Sequence, residues 1–241
     1  MPKLAVSRSD LAETAALPDE DAGRLPNSER AYRRLKQLIM TNALPAGAQL
    51  LELEAAARLG MSRTPVREAM VRLAQEGIVE IRPRHGMRIL PVSADDMREI
   101  YEILTALESE AAAIVARRGL TPAQDIEIKG ALAAMETALK IDDLVAWSLA
   151  DRHFHAALVT FAGNRRLGAI VEQVSDQAHR ARMLTLKLRP PPVQSHKDHA
   201  ALVAAIVARD PDTARRIHEE HRRHAGAMLV ELIRNLGLGQ L

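Results

Sequence analysis

Nine histidines fall at positions 85, 153, 155, 179, 196, 199, 218, 221 and 224, and eight of them lie in the C-terminal part of the chain. Asp151 and His155 stand four apart, so on a helix both project from one face. Imidazole and carboxylate together suit a borderline divalent ion such as Zn, Ni, Mn or Fe. The chain has no cysteine, so a metal site must use histidine and carboxylate and no disulfide framework exists. A second chemistry sits near the other end. Arg63 and Arg67, also four apart, share an outward face, and a planar guanidinium matches phosphate oxygens and guanine edges. Residues 58–88 hold seven Arg against three Glu, a surplus of four in a chain whose total is only +2. That concentration is the electrostatic footprint expected of a nucleic-acid contact.

The elements that must position these groups are legible. The stretch GMSRTPVREAMVRLAQEGIVEIRPRHGMR, residues 60–88, reads as a short helix with Ser62 as its cap and Pro65 in its first turn. Val66, Met70 and Leu73 form its buried stripe, and Gly77 ends it. Two short strands follow, Ile78–Arg82 and Met87–Val92, joined by the turn Pro83-Arg84-His85-Gly86. A helix followed by a basic hairpin is the layout of a winged helix-turn-helix. Ahead of it, a helix near residues 29–42, capped by Asn27 or Ser28, carries Tyr32, Leu35 and Ile39 inward. A short helix near residues 52–59 follows.

From residue 93 the pattern is helical throughout. Ser93 with Asp96 opens one helix, whose stripe is Met97, Ile100, Leu104, Leu107 and Ala111, and Gly119 stops it. Thr121-Pro122-Ala123-Gln124 opens the second. Asp142 or Asp143 starts a third, and Gly163-Asn164 separates it from a long fourth reaching residue 186. After Pro190-Pro191-Pro192 come helices near 195–208 and 211–235, the last begun by Asp210-Pro211 and ended by Gly237. The fold class expected is mainly α: residues 1–26 a flexible tail, 27–92 a winged helix-turn-helix of three helices and a two-stranded wing, and 93–236 an all-helical bundle. With 47% hydrophobic residues but only 2% aromatic ones, helices are favoured over sheets. No apolar run has the length of a membrane span, and the acid-bearing N-terminus is not a signal peptide, so a soluble cytoplasmic protein is expected.

The strings SRTPVREA and RLAQEG and the turn PRHG closely resemble the signature of GntR-family transcriptional regulators, of the FadR type with a C-terminal FCD ligand domain. The resemblance spans roughly residues 28–236. It implies a homodimer on a double-stranded DNA operator, with Ser62, Arg63, Thr64 and Arg67 at recognition-helix positions and His85 and Gly86 at the wing tip. Arg72 reads equally as a phosphate contact or a plain surface residue. Leu53 stands where some relatives carry a basic DNA-contacting residue and is assigned no contact. The string DRHFHAAL, then HKDHAALVAAIVARDPDTARRIHEEH, is similar to the FCD metal pattern, which makes Asp151, His155, His199 and His221 the implied ligands. His153, His179, His196, His218 and His224 are read as surface or satisfied core residues, although His196 and His218 lie one turn from implied ligands.

Many relatives carry an arginine on the first C-terminal helix that pairs with a carboxylate effector. In YEILTALE the matching position is Leu104, so Arg180 or Arg182 is the alternative source of charge. The reading is a regulator, and specifically a repressor, controlled by a small carboxylate bound beside the metal. The rival class is a metallohydrolase using the Asp/His/His/His site, and the sequence holds no separate general acid or base for it. A third possibility is a bare DNA-binding module with a structural metal.

Overall fold

The computed structural model describes residues 24–237 of the 241. All but the last three residues of the expected N-terminal tail therefore lie outside the described residues. The chain divides between Leu90 and Pro91 into two compact units.

The first unit holds α1 (Asn27–Met40), β1 (Gln49–Leu50), α2 (Glu52–Leu59), α3 (Arg63–Gln75), β2 (Val79–Arg82) and β3 (Gly86–Ile89). Its core gathers Leu35, Ile39, Leu44, Val66, Leu73, Ile78, Met87 and Ile89. The predicted stripes of α1 and α3 are the ones that face inward. Gly77, at φ 68°, sits just past α3, where the Ile78 amide donates to the Leu73 carbonyl at 3.1 Å and the Gly77 amide to that of Ala74 at 3.0 Å. A left-handed glycine closes a helix in this way because no Cβ opposes the turn.

Three details differ from the sequence reading. Ser62 stands at the cap of α3 with extended backbone, but its side chain accepts no capping hydrogen bond. Pro26, not Asn27 or Ser28, precedes α1, and the Asn27 carboxamide oxygen instead accepts from Arg30 at 2.8 Å. The wing is part of a three-stranded antiparallel sheet in the order β1-β3-β2, with Arg88 of β3 opposite both Gln49 and Glu80. Two residues of β1 are too few to show an alternation in sequence. Gly86 is required by this third strand. At φ 72° a Cβ there would run into the Leu50 carbonyl and come within 2.7 Å of the Leu51 Cα.

The second unit holds α4 (Ala94–Arg118), α5 (Pro122–Lys140), α6 (Leu144–Phe161), α7 (Arg165–Leu184), a 3-10 turn (Leu186–Leu188), α8 (Val193–Val207) and α9 (Pro211–Leu236). The expected caps form. Ser93 accepts from Asp96, Asp143 from Ala146, Asn164 from Leu167 and Asp210 from Thr213, and Thr121 and Gln124 make a reciprocal capping box. Helix α4 packs against α6, α7, α8 and α9, which makes it the axis of the bundle. Its contact with α9 is close because Gly226 leaves room for the Tyr101 ring, whose atoms lie 2.8 Å from where a Cβ would be.

Candidate metal centre and nucleic-acid interface

Three helices bring the four implied ligands to one place. Helix α6 supplies Asp151 and His155, α8 supplies His199 and α9 supplies His221, all buried. The Nε2 atoms of His155 and His199 lie 3.2 Å apart. Asp151 Oδ1 is 3.5 Å from the first and 3.6 Å from the second. One nitrogen each from His155, His199 and His221 falls within 4.8 Å of the others. With metal–ligand bonds of ~2.1 Å, neighbouring donors stand roughly 3.0 Å apart in an octahedron and roughly 3.4 Å apart in a tetrahedron. The observed spacings suit such a group. Burial holds the imidazoles of His199 and His221 below their ordinary pKa, so both are neutral and offer lone pairs at neutral pH. Burial pushes the Asp151 carboxyl up, but His155, Arg182 and His199 outweigh it and keep the group well below the usual range, hence anionic.

Partners around the ligands were not foreseen. Asp198 Oδ2 lies 3.4 Å from His221 Nδ1, which leaves Nε2 of that ring turned away for another partner. Glu108, only 1% exposed, takes a forked pair of bonds from Arg222, Nε to Oε2 at 2.9 Å and Nη2 to Oε1 at 2.6 Å. His218 Nε2 is 3.1 Å from the same carboxylate. His155 Nδ1 lies 3.0 Å from Glu108 Oε2, off the line of a full hydrogen bond. Glu108, His155 and His218 also cluster closely enough for an ion. The Arg222 fork already fills the Glu108 oxygens, so this second group is an ion-paired support and not a second metal position. The signal for Glu108 was its place, four past Leu104 within the apolar stripe of α4. For Arg222 it was the step of four from His218.

A cavity of ≈ 620 Å³ opens beside this cluster, between α4, α6, α7 and α9. Leu104, Glu108, His155, Arg182 and Arg222 line it, with Arg152 paired to Asp176 at 2.6 Å. Leu104 therefore contributes an apolar wall. Of the two arginines considered as substitutes, Arg182 lines the cavity, 3.8 Å from Asp151, whereas Arg180 is buried and outside the lining.

The other histidines separate by burial. His153 and His224 are exposed and His196 is half-buried. His179, on α7, is buried with Nδ1 unpartnered, and burial with Arg182 and Arg152 nearby lowers its pKa to about 4. The unfolded chain would take up a proton near pH 6.5, so between about pH 6.5 and 4 the unfolded state binds more protons and stability falls as pH falls, by up to ~1.4 kcal/mol per pH unit. Urea unfolding at pH 7, 6 and 5 should show this slope, and His179→Gln should flatten it.

In the first unit, Arg63 and Arg67 project outward with side chains 67% and 73% exposed. Glu52 at the start of α2 reaches both, 3.2 Å from Arg63 Nη2 and 3.5 Å from Arg67 Nε. Ser62 and Thr64 are exposed beside them, and His85 is exposed in the wing turn, where Arg84 adopts φ 66°. Arg72 is different. Its Nη1 is 2.6 Å from Glu29, and its guanidinium lies 3.6 Å from the Tyr32 ring centroid. It is committed to α1, which favours the structural alternative over the phosphate contact.

A winged helix with an outward arginine pair, joined in one chain to a helical unit with a cavity, is the layout of a DNA-binding transcriptional regulator. Residues 27–89 match the family described as bacterial regulatory proteins, gntR family, and residues 99–224 match the FCD domain. The chain belongs to the GntR family of transcriptional regulators, in its FCD-bearing branch. It is 41% identical over 154 residues to an HTH-type transcriptional regulator in the TAR-I ttuE-ttuC' intergenic region of Agrobacterium vitis, covering 63% of this chain and 88% of that one. It is 28% identical over 199 residues to the transcriptional repressor RspR of Escherichia coli K12, covering 81% and 86%. The solved structure of E. coli McbR/YncC superposes with a TM-score of 0.75 at 25% identity over 86% of this chain and 99% of that one. These relatives are regulators and not enzymes, which sets the metallohydrolase reading aside. No helix among the described residues is long and apolar enough to cross a membrane.

Proposed function

We propose that this regulator is a repressor that binds its operator as a homodimer and responds to a small carboxylate held beside a divalent metal. The observation that carries the reading is one imidazole with two neighbourhoods: His155 belongs to the Asp151/His199/His221 cluster and also lines the cavity with Arg182 and Arg222. Asp151, His155, His199 and His221 would hold the ion. When bound, the ion supplies a Lewis-acid position at which a ligand carboxylate can be held. The chain's own residues do the remaining work. Arg182 and the Arg222–Glu108 pair set the charge of the cavity, and Leu104 supplies apolar wall where an arginine would select a further anionic group. Coupling requires a ligand to bind the DNA-competent and DNA-incompetent arrangements unequally. A preference of ~1–3 kcal/mol changes operator occupancy about 5–150-fold. Helix α4 joins Ser93, at the start of the second unit, to Glu108, and is the element on which a ligand would act.

At the operator, Arg63 and Arg67 are the base-edge readers, with Thr64, Ser62 and the wing residues His85 and Gly86 alongside. Arg67→Ala removes an exposed side chain and should leave helix content unchanged. A bidentate arginine–guanine contact is worth ~1–3 kcal/mol, so anisotropy titration should show specific binding weakened at least tenfold. Unchanged affinity would end the assignment. The regulatory half is tested by titrating short mono- and dicarboxylates into the protein–operator complex, with and without prior chelation. Release that depends on metal supports the reading. Operator affinity indifferent to every carboxylate, in metal-loaded protein, overturns it.

A further inference from the structure

Leu53 has no packing role in the first unit, yet its surroundings are unusual. It lies in the first turn of α2, its neighbour Glu52 touches both Arg63 and Arg67, and Leu53 itself is 67% exposed. It borders one surface cleft together with Leu51, Arg63, Arg67, Val71 and Arg84. A lone exposed leucine needs no explanation. Here, however, Leu51, Leu53, Val71 and Ile81 are all exposed around the same cleft, and contiguous exposed apolar surface marks a binding face. The occupant follows from charge. Arg63, Arg67, Arg82 and Arg84 line the cleft against the single carboxylate of Glu52, so the complement is a polyanion. In the major groove an apolar side chain has one base-specific partner, the 5-methyl group of thymine.

We infer that Leu53 is a specificity-determining residue that packs on a thymine methyl next to the base pair read by Arg63 and Arg67. The inference rests on those arginines being the base readers. Each operator half-site would then combine a guanidinium contact to guanine with an apolar contact to thymine. Glu52, between the two arginines, keeps them extended at the fixed offset from Leu53 that such a step requires.

The test uses the full chain and a duplex selected from a randomised library. Each thymine of the selected site is replaced in turn by deoxyuridine, which removes the methyl and nothing else. One thymine per half-site is expected to matter, weakening wild-type binding about fourfold, the worth of one buried methyl at ~0.8 kcal/mol. Leu53→Ala should bind the thymine and uracil duplexes alike, and its exposure means that folding is not at stake. Leu53→Arg, put through a fresh selection, should prefer guanine at that base pair. Loss of the same affinity by Leu53→Ala on both duplexes, or wild-type indifference to every demethylation, overturns the inference. An Arg67→Ala variant that still binds the selected duplex at full strength instead overturns the arginine reading beneath it.

Discussion

Arg222→Ala should destabilise the helical unit by ~3–5 kcal/mol, the cost of leaving a buried charge without its partner. The carboxylate of Glu108 is almost wholly enclosed, and its oxygens take the Arg222 fork at 2.6 and 2.9 Å. Burial alone would raise its pKa, but Arg222 and then His155 hold it well below the ordinary range. A depressed carboxyl contributes stability above its unfolded pKa and loses that contribution as pH falls through the folded value. Without Arg222 the sign reverses. Burial then lifts the folded pKa above the unfolded one, and the variant is penalised as pH rises through that raised value. The gap in unfolding free energy between wild type and variant should therefore be largest near neutrality and narrow toward pH 4.5. A paired replacement, Glu108→Leu with Arg222→Met, should recover most of the loss, because removing both charges removes the desolvation cost as well. A gap that is small, or flat with pH, would mean that water reaches Glu108.

Much of this architecture could be read from residue order, and the reasons differ by element. The bundle helices announced themselves through caps whose chemistry is local: Ser93, Thr121, Asp143, Asn164 and Asp210 each accept from an amide three residues on. Local hydrogen bonds depend on adjacent sequence, so they survive translation from string to structure. The reading failed where partners are distant. Strand β1 exists only because β3 passes Leu50, and Gly86 is needed for that approach, a fact of tertiary contact. Arg72 looked like any basic residue on a DNA-facing helix until α1 brought Glu29 and Tyr32 to it. At the metal cluster, Asp151 and His155 were legible as an i, i+4 pair, and His199 and His221 came only from resemblance. Glu108, Arg222 and Asp198 were missed because nothing in their own helices requires a partner. Their meaning lies in the packing of α4 against α9 and α8 against α9. A carboxylate inside an apolar stripe was nonetheless available as a warning, since buried charges occur paired or not at all.

The double substitution His199→Ala with His221→Ala should abolish stoichiometric metal binding by the purified protein. Elemental analysis reads this directly, and thermal unfolding reads it independently. A ligand that binds only the folded state stabilises it by ~4 kcal/mol at a thousandfold excess over its dissociation constant. A chelator should therefore lower the unfolding temperature of the wild-type protein by several degrees and leave the double variant where it is. Two controls decide between neighbouring assignments. His196 is half-buried and outside the cluster, and His218 donates its contact to Glu108 rather than to the imidazole group. Alanine at His196 should leave the metal in place. Alanine at His218 should also retain it, though with some loss of stability from the unsatisfied Glu108 side. Asp198→Ala is the intermediate case. It removes the carboxylate 3.4 Å from His221 Nδ1 that sets which nitrogen faces inward, and changes of this kind weaken metal affinity about 10–100-fold without removing a ligand. The graded order, from no effect at His196 through weakened binding at Asp198 to none in the double variant, is what separates a coordinated ion from histidines that merely pack together. Full metal content in the double variant would leave only the packing.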